Sequence, residues 1–350
     1  MPALLTNHMR PFSHVPGETC MLPRSSWKVI AYPTRISLEN LGSGSEKILF
    51  SLQMEGPIQG YTLMQDLERD FVRIFGTAKE GYFSFRLTAE PDAIRLLLER
   101  APESGISFSF QGKDKTLKRS ETCAFPLPHK ETFHPHEKIH FGCHKKQDWT
   151  LIKRRLNLDE ILPIWFAIGR KCPEQPLHYE GTAKLFKACE AAIQQQDRLE
   201  IGPLLIKLFQ VGFGGMLTPR LADTDYQGIV VDTVPPQGSP LVLLSHGAEL
   251  IRQLFINAKG GKLSLLPCLP IELHAGRCTS MQISKDLSID IEWSKKALRR
   301  LVMRPKKNQA WKLDLQRDLK SFRMEGKRFQ KEDTLQFKAG KTYLLDRFER

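Results

Sequence analysis

Leu287-Ser-Ile-Asp-Ile-Glu-Trp293 constrains the fold of this chain more than any other stretch. Leu287, Ile289, Ile291 and Trp293 alternate with Ser288, Asp290 and Glu292, the pattern of a strand with one apolar and one wet face. Just upstream stands a double-proline clamp, Leu265-Leu-Pro-Cys-Leu-Pro270, followed by a turn at Ala275-Gly276. Before the clamp the apolar spacing is helical; after it, strand patterns run to the end. Residues 263–302 therefore mark a domain junction.

Helical and strand patterns are segregated along all 350 residues, as in separate layers and not in one alternating sheet. The expected class is multidomain α+β: an N-terminal β-sandwich, a short all-α helical layer, and a C-terminal β-sandwich. The expected boundaries are a flexible arm at 1–15, the first sandwich at 16–122, a linker at 123–144, the helical region at 145–262 and the second sandwich at 263–350. No apolar run is long enough to span a bilayer. Seven cysteines at 20, 123, 143, 172, 189, 268 and 278 show no disulfide framework or paired metal spacing, so a reducing cytoplasm is the expected compartment.

In the first sandwich, strands are expected at 27–32, 47–52, 71–75, 81–87 and 106–111, with one helix at 91–100 because Pro91 suits a helix start. Helices are expected at 148–156, 159–169, 182–195, 203–211 and 245–257, with Pro163 shifting or kinking the second. Beyond the clamp, strands are expected at 287–293, 297–303, 310–315, 320–324, 334–338 and 342–345. Turns separate them at Pro305-Lys-Lys-Asn308, Glu325-Gly326 and Ala339-Gly340.

Three groups of residues bear chemistry. His129, His134, His136, His140, Cys143 and His144 crowd one segment, but their spacing fits no tetrahedral metal motif, and Pro126, Pro128 and Pro135 read as an extended connector. No metal or cofactor is expected. The loop after the fourth helix, from Gly212, carries Arg220, Asp223, Asp225, Tyr226 and Gln227, groups of the kind that line sugar-binding clefts. The bland alternative is an Arg–Asp pair pinning a long loop. The third group is basic: of the net charge of +13, residues 294–331 hold fourteen Lys and Arg against three acids. Lys295, Lys296, Arg299, Arg300, Arg304, Lys306 and Lys307 cluster around one expected hairpin and are candidates for a polyanion. On a regular strand, Arg299 and Arg300 would face opposite sides.

The junction resembles the end of the catalytic domain and the start of the C-terminal sandwich of glycoside hydrolase family 95 (alpha-L-fucosidases) and related helical-barrel enzymes. These have a Leu-Leu-Pro-Ala-Leu-Pro clamp, a turn ending in Gly, and a strand reaching Asp-Ile-Glu-Trp. Leu265–Pro270 matches with one change, and Asp290-Ile-Glu-Trp293 matches directly. Ser294-Lys-Lys-Ala-Leu298 stands where the family turns with glycine. The resemblance implies a catalytic carboxylate in an Asp-Gly-Asn-Phe-Gly element one helix before the clamp. Pro240-Leu-Val-Leu-Leu-Ser245 occupies that place with no carboxylate. A ring of twelve helices needs roughly 200 residues, about twice what 145–260 provide, so the resemblance implies that the helical layer is a truncated helical barrel.

The first functional reading is a non-catalytic or strongly divergent relative of glycoside hydrolases, with a carbohydrate-binding or interaction role. The alternatives are a nucleic-acid or other polyanion binder acting through 294–331, and an active glycosidase using Asp223 or Asp225 with Glu249 or another acid. The last would need one desolvated and one ionised carboxyl.

Overall fold

The computed structural model describes residues 9–42, 46–127, 137–142, 146–225, 236–316 and 318–349. It is a β-sandwich-rich α+β protein of several domains.

Two six-stranded antiparallel sheets form the N-terminal sandwich. One contains Phe12–Ser13, Gln59–Asp66, Phe71–Ala78, Gly81–Ala89, Ala93–Arg100 and Thr122–Pro126; the other contains Glu18–Met21, Trp27–Ala31, Arg35–Asn40, Lys47–Gln53, Ile106–Phe110 and Lys113–Leu117. Their inner faces meet through stacked aromatics: Phe50 lies 5.0 Å from Phe108 and 5.2 Å from Phe125. Two buried polar groups cross the gap, Tyr61 donating to the Ala31 carbonyl at 2.6 Å and Gln65 to that of Met21 at 2.6 Å.

The helix expected at 91–100 is a strand, Ala93–Arg100. Ile94, Leu96 and Leu98 are buried while their neighbours are half-exposed, a period of two. The strand is bonded on both flanks, to Gly81–Ala89 and to Thr122–Pro126. Non-local pairing and burial outweigh the modest helix preference of Leu, Glu and Arg.

The helical layer contains α1 (Trp149–Arg155), α2 (Leu158–Gly169), α3 (Leu185–Gln194), α4 (Ile201–Gly212) and α5 (Val242–Phe255). Asp148 caps α1, accepting from the Thr150 and Leu151 N–H groups, and Lys153, Arg154 and Arg155 fill its last turn. α2 runs through the buried Pro163 without stopping. It is held against α5 by a close crossing: a Cβ on Gly247 would lie 2.7 Å from the Trp165 ring, and Trp165 donates to the Leu243 carbonyl at 3.0 Å. A 3-10 turn, Gly181–Lys184, precedes α3. These five are the α-helices among the described residues, and they form a layer, far short of a twelve-helix ring.

The C-terminal sandwich has a seven-stranded sheet (Lys138–His140, Gly276–Ser284, Leu287–Ser294, Ala297–Pro305, Tyr343–Glu349, Ser321–Met324, Lys327–Gln330) and a four-stranded one (Ile256–Lys259, Lys262–Leu265, Gln309–Asp314, Thr334–Phe337). Strict alternation of burial along Leu287–Ser294 matches the sequence pattern. Two strands, Gly276–Ser284 and Lys327–Gln330, were not expected; they begin at or just after the turns expected at Ala275-Gly276 and Glu325-Gly326. Gly276 opens its strand because the Trp293 ring and Phe141 leave no room for a side chain there.

The segment read as a linker contributes strands at both ends. Thr122–Pro126 finishes the first sandwich and Lys138–His140 joins the second through Gly276–Ser284. Between them Glu137 is buried, with Arg170 of α2 at 3.1 Å and Arg252 of α5 at 3.4 Å, and it accepts the Gln282 N–H at 2.8 Å. One carboxylate thus ties two helices to the C-terminal sheet.

Candidate functional site

After α4 the chain reverses through a two-residue ladder in which Phe213 and Gly214 face Pro219 and Thr218. Its tip docks on the first sandwich: the Met216 N–H donates to Thr19 O at 2.7 Å and Thr218 Oγ1 donates to Thr19 Oγ1 at 2.9 Å. Gly215, at φ 49°, meets Thr19 so closely that no side chain fits.

Arg220 then turns back on α4. Its guanidinium donates to the Val211 carbonyl at 3.1 Å, the Gln210 carbonyl at 3.2 Å and the Thr224 hydroxyl at 2.8 Å, and it pairs with Asp225 at 2.7 Å. Two of these four partners are carbonyls at the end of a helix, where a cation satisfies otherwise unpaired acceptors. Asp223 is buried, and Thr182 fastens the loop to the 3-10 turn through the Arg220 carbonyl at 2.7 Å. Arg220 thus holds the end of α4 and pairs with Asp225 in the loop. Tyr226 and Gln227 lie outside the described residues, as do His129, His134, His136, Cys143 and His144. Among the described residues no group of three His, Cys, Asp or Glu is arranged to hold a metal ion.

The seven basic candidates divide between the two ends of one strand. Lys295 and Lys296 form the hairpin turn before Ala297–Pro305; Lys306 and Lys307 follow its far end. Arg304 is paired with Asp290 at 2.5 Å and Lys307 with Asp286 at 3.0 Å, while Arg300 lies 3.9 Å from Glu292. Arg299 and Arg300 are both exposed. The register shifts here, Glu292 facing Arg300 but Trp293 facing Leu298, so Arg299 is an inserted residue. A bulge interrupts the alternation that would have sent one of them inward.

Of the cavities that border the helical layer, two are lined by side chains of both charges. One of about 190 Å³ at the junction is lined by Glu68, Glu137, Lys138, Arg170 and Lys171 with Met9, Leu67 and Ala167. Its charges are mutually engaged: Lys138 pairs with Glu68 at 2.9 Å, Arg170 with Glu137, and Lys171 with Asp70. Glu249, a partner in the active-glycosidase reading, belongs to this network through Arg170 at 3.8 Å and Arg252 at 3.7 Å, whereas Asp225 is bound to Arg220.

The second cavity, of about 620 Å³, is a polar cleft between the end of α3 and the C-terminal sandwich. Gln195, Gln196 and Arg198 line the helical side; Asp314, Gln316, Asp318 and Lys331 line the sandwich side; Ser264 and Leu265–Pro267 of the clamp form the floor. Several of these groups are pre-positioned. Arg198 donates to the Leu269 carbonyl at 2.8 Å, and Asp314 accepts from Ser264 at 2.8 Å and faces Lys262 at 3.3 Å. Gln316 bridges the Lys296 carbonyl and the Leu298 N–H. Reasoning on the sequence missed this cleft because its residues come from four separate segments. The visible trace is the polar run Gln194-Gln-Gln-Asp-Arg198 beside an apolar helix.

The clamp also carries Cys268, where the resembled family has alanine. Burial pushes its thiol up to about 11, and burial likewise pushes Cys189 of α3 up to about 12. Cys20 and Cys278 are raised for the same main reason. Such thiols are packing groups and not nucleophiles.

No curated protein matches the chain. Residues 257–345, which hold the clamp, the cleft's sandwich side and the Asp-Ile-Glu-Trp strand, match the family model of the glycoside hydrolase family 95, C-terminal domain.

Proposed function

We propose that this protein is a non-catalytic or strongly divergent relative of glycoside hydrolases that binds a carbohydrate in the cleft between α3 and the C-terminal sandwich. The observation that carries this reading is the cleft lining: three amides, two carboxylates, one guanidinium, one ammonium and one hydroxyl around about 620 Å³. That volume falls in the range of about 300–1,000 Å³ common for small-molecule sites. Sugar hydroxyls both donate and accept, and side-chain amides and carboxylates answer them in the same way. The family match on one wall supports a saccharide over other polar ligands.

The lack of hydrolysis in this reading is supported by the start of α5, where Pro240–Ser245 offers no carboxylate, and by a helical layer with five α-helices among the described residues. An array of neutral and acidic oligosaccharides tests the proposal. Retention of a glycan by the full chain, with at least tenfold loss in Gln195→Ala/Gln196→Ala and no released reducing sugar, is the expected result. Equal retention by the double variant overturns the cleft, and turnover overturns the non-catalytic part.

A further inference from the structure

The seven-stranded sheet ends in a row of turns that carries an uneven share of the charge. Gly276–Ser284, Leu287–Ser294, Ala297–Pro305, Tyr343–Glu349, Ser321–Met324 and Lys327–Gln330 are consecutive neighbours in it. Antiparallel pairing brings the end of every second strand to the same side. Leu287 faces both Ser284 and Pro305, Met303 faces Tyr343, and Met324 faces both Leu345 and Lys327. The turns there hold Lys285, Lys306, Lys307, Lys327, Lys338 and Lys341, all exposed, against Asp286 and Glu325.

Backbone bonds lock these turns together. The Lys306 N–H donates to the Asp286 carbonyl at 2.7 Å and the Gly340 N–H to that of Pro305 at 2.9 Å, while the Ala339 N–H donates to the side-chain Oδ1 of Asn308 at 2.8 Å. Lys307 pairs with Asp286 and Lys341 with Glu325. Among the described residues Lys285, Lys306, Lys327 and Lys338 have no carboxylate partner. Six adjacent strands at about 4.8 Å spacing extend the row over about 24 Å, longer than a single small anion needs.

We infer that this row is a docking surface for a linear acidic polysaccharide lying across the strand ends. A row of ammonium groups suits a flexible chain of repeating charges, because each lysine is a point charge that needs no fixed acceptor geometry. A single-stranded nucleic acid fits less well, since it also calls for open aromatic faces. Here Tyr343 is buried, with its hydroxyl accepting the Lys338 N–H at 2.8 Å, and half-buried Trp311 donates to Gln309 at 3.0 Å. This surface is separate from the saccharide cleft, and either can fail without the other.

The test is fluorescence anisotropy with the full chain and three labelled probes: a sulfated heparin oligosaccharide, an uncharged dextran oligosaccharide, and a single-stranded DNA of matched charge. The expected result is binding of the heparin probe in preference to both others, weakening steeply as salt rises. Lys306→Glu/Lys338→Glu is expected to weaken it at least tenfold, and Lys295→Glu/Arg299→Glu, at the opposite end of the sheet, less than twofold. Equal losses in the two variants, no heparin binding, or tighter binding of the DNA would each overturn the inference. Circular dichroism melts of both variants separate lost binding from lost folding.

Discussion

Lys295 and Lys296 make a two-residue hairpin turn with φ of 52° and 62°, the left-handed region favoured by Asn and Gly. Each non-glycine residue there costs roughly 1–2 kcal/mol. Lys295→Asn/Lys296→Gly is therefore expected to raise stability by about 1 kcal/mol, read as a higher melting temperature; an unchanged or lower one would show that the turn is relaxed by its surroundings. Arg220→Ala removes four polar contacts, two to carbonyls at the end of α4 and two to the loop residues Thr224 and Asp225. A loss of about 1–3 kcal/mol is expected in urea unfolding, with glycan retention unchanged; lost retention in a fully stable variant would return Arg220 to the ligand. Of the seven cysteines, Cys20, Cys189, Cys268 and Cys278 are held protonated by burial. Iodoacetamide at neutral pH should leave these four unmodified in native protein and label them in guanidinium, as peptide mass spectrometry would show. At this scale the sequence displayed the Arg–Asp association and the glycine-deficient turn. It did not display the bulge at Arg299, which depends on register with Glu292 and Trp293.

Among the elements, those with strong local periodicity were legible and those decided by partners were not. All five helices stand close to where apolar spacing places them, and the alternating strand Leu287–Ser294 is buried as its pattern demands. Ala93–Arg100 was misread because Pro91 and three leucines satisfy helix rules, while the two strands that flank it are invisible locally. α2 continues through Pro163 and packs against α5 where Gly247 meets Trp165. Glu137 was hidden for the same kind of reason: its partners Arg170, Arg252 and Gln282 lie 33 to 145 residues away in sequence. Glu137→Ala leaves the Arg170 and Arg252 guanidiniums with only the half-exposed Glu249 in place of their buried carboxylate and is expected to cost up to about 3–5 kcal/mol. Hydrogen exchange localised to Lys138–His140 and the facing Gly276–Ser284 strand would report the loosened seam. Global stability within about 0.5 kcal/mol of the parent would show that Glu137 is not the tie.

Over the whole molecule, two sandwiches flank a layer with five α-helices among the described residues, and the second sandwich matches a glycoside hydrolase family 95 C-terminal domain. Segregated patterning makes this architecture legible in the sequence. The cleft was not readable, because Gln195, Ser264, Asp314 and Lys331 converge only when α3 meets the sandwich. Hydrogen–deuterium exchange of the full chain, with and without a saturating array-selected glycan, tests the saccharide cleft most directly. Slowed exchange at 195–198, 264–267 and 314–316, abolished in Gln195→Ala/Gln196→Ala, is the predicted result. Protection confined to 220–225 or to the junction around Glu137, or no protection with any glycan, would contradict it.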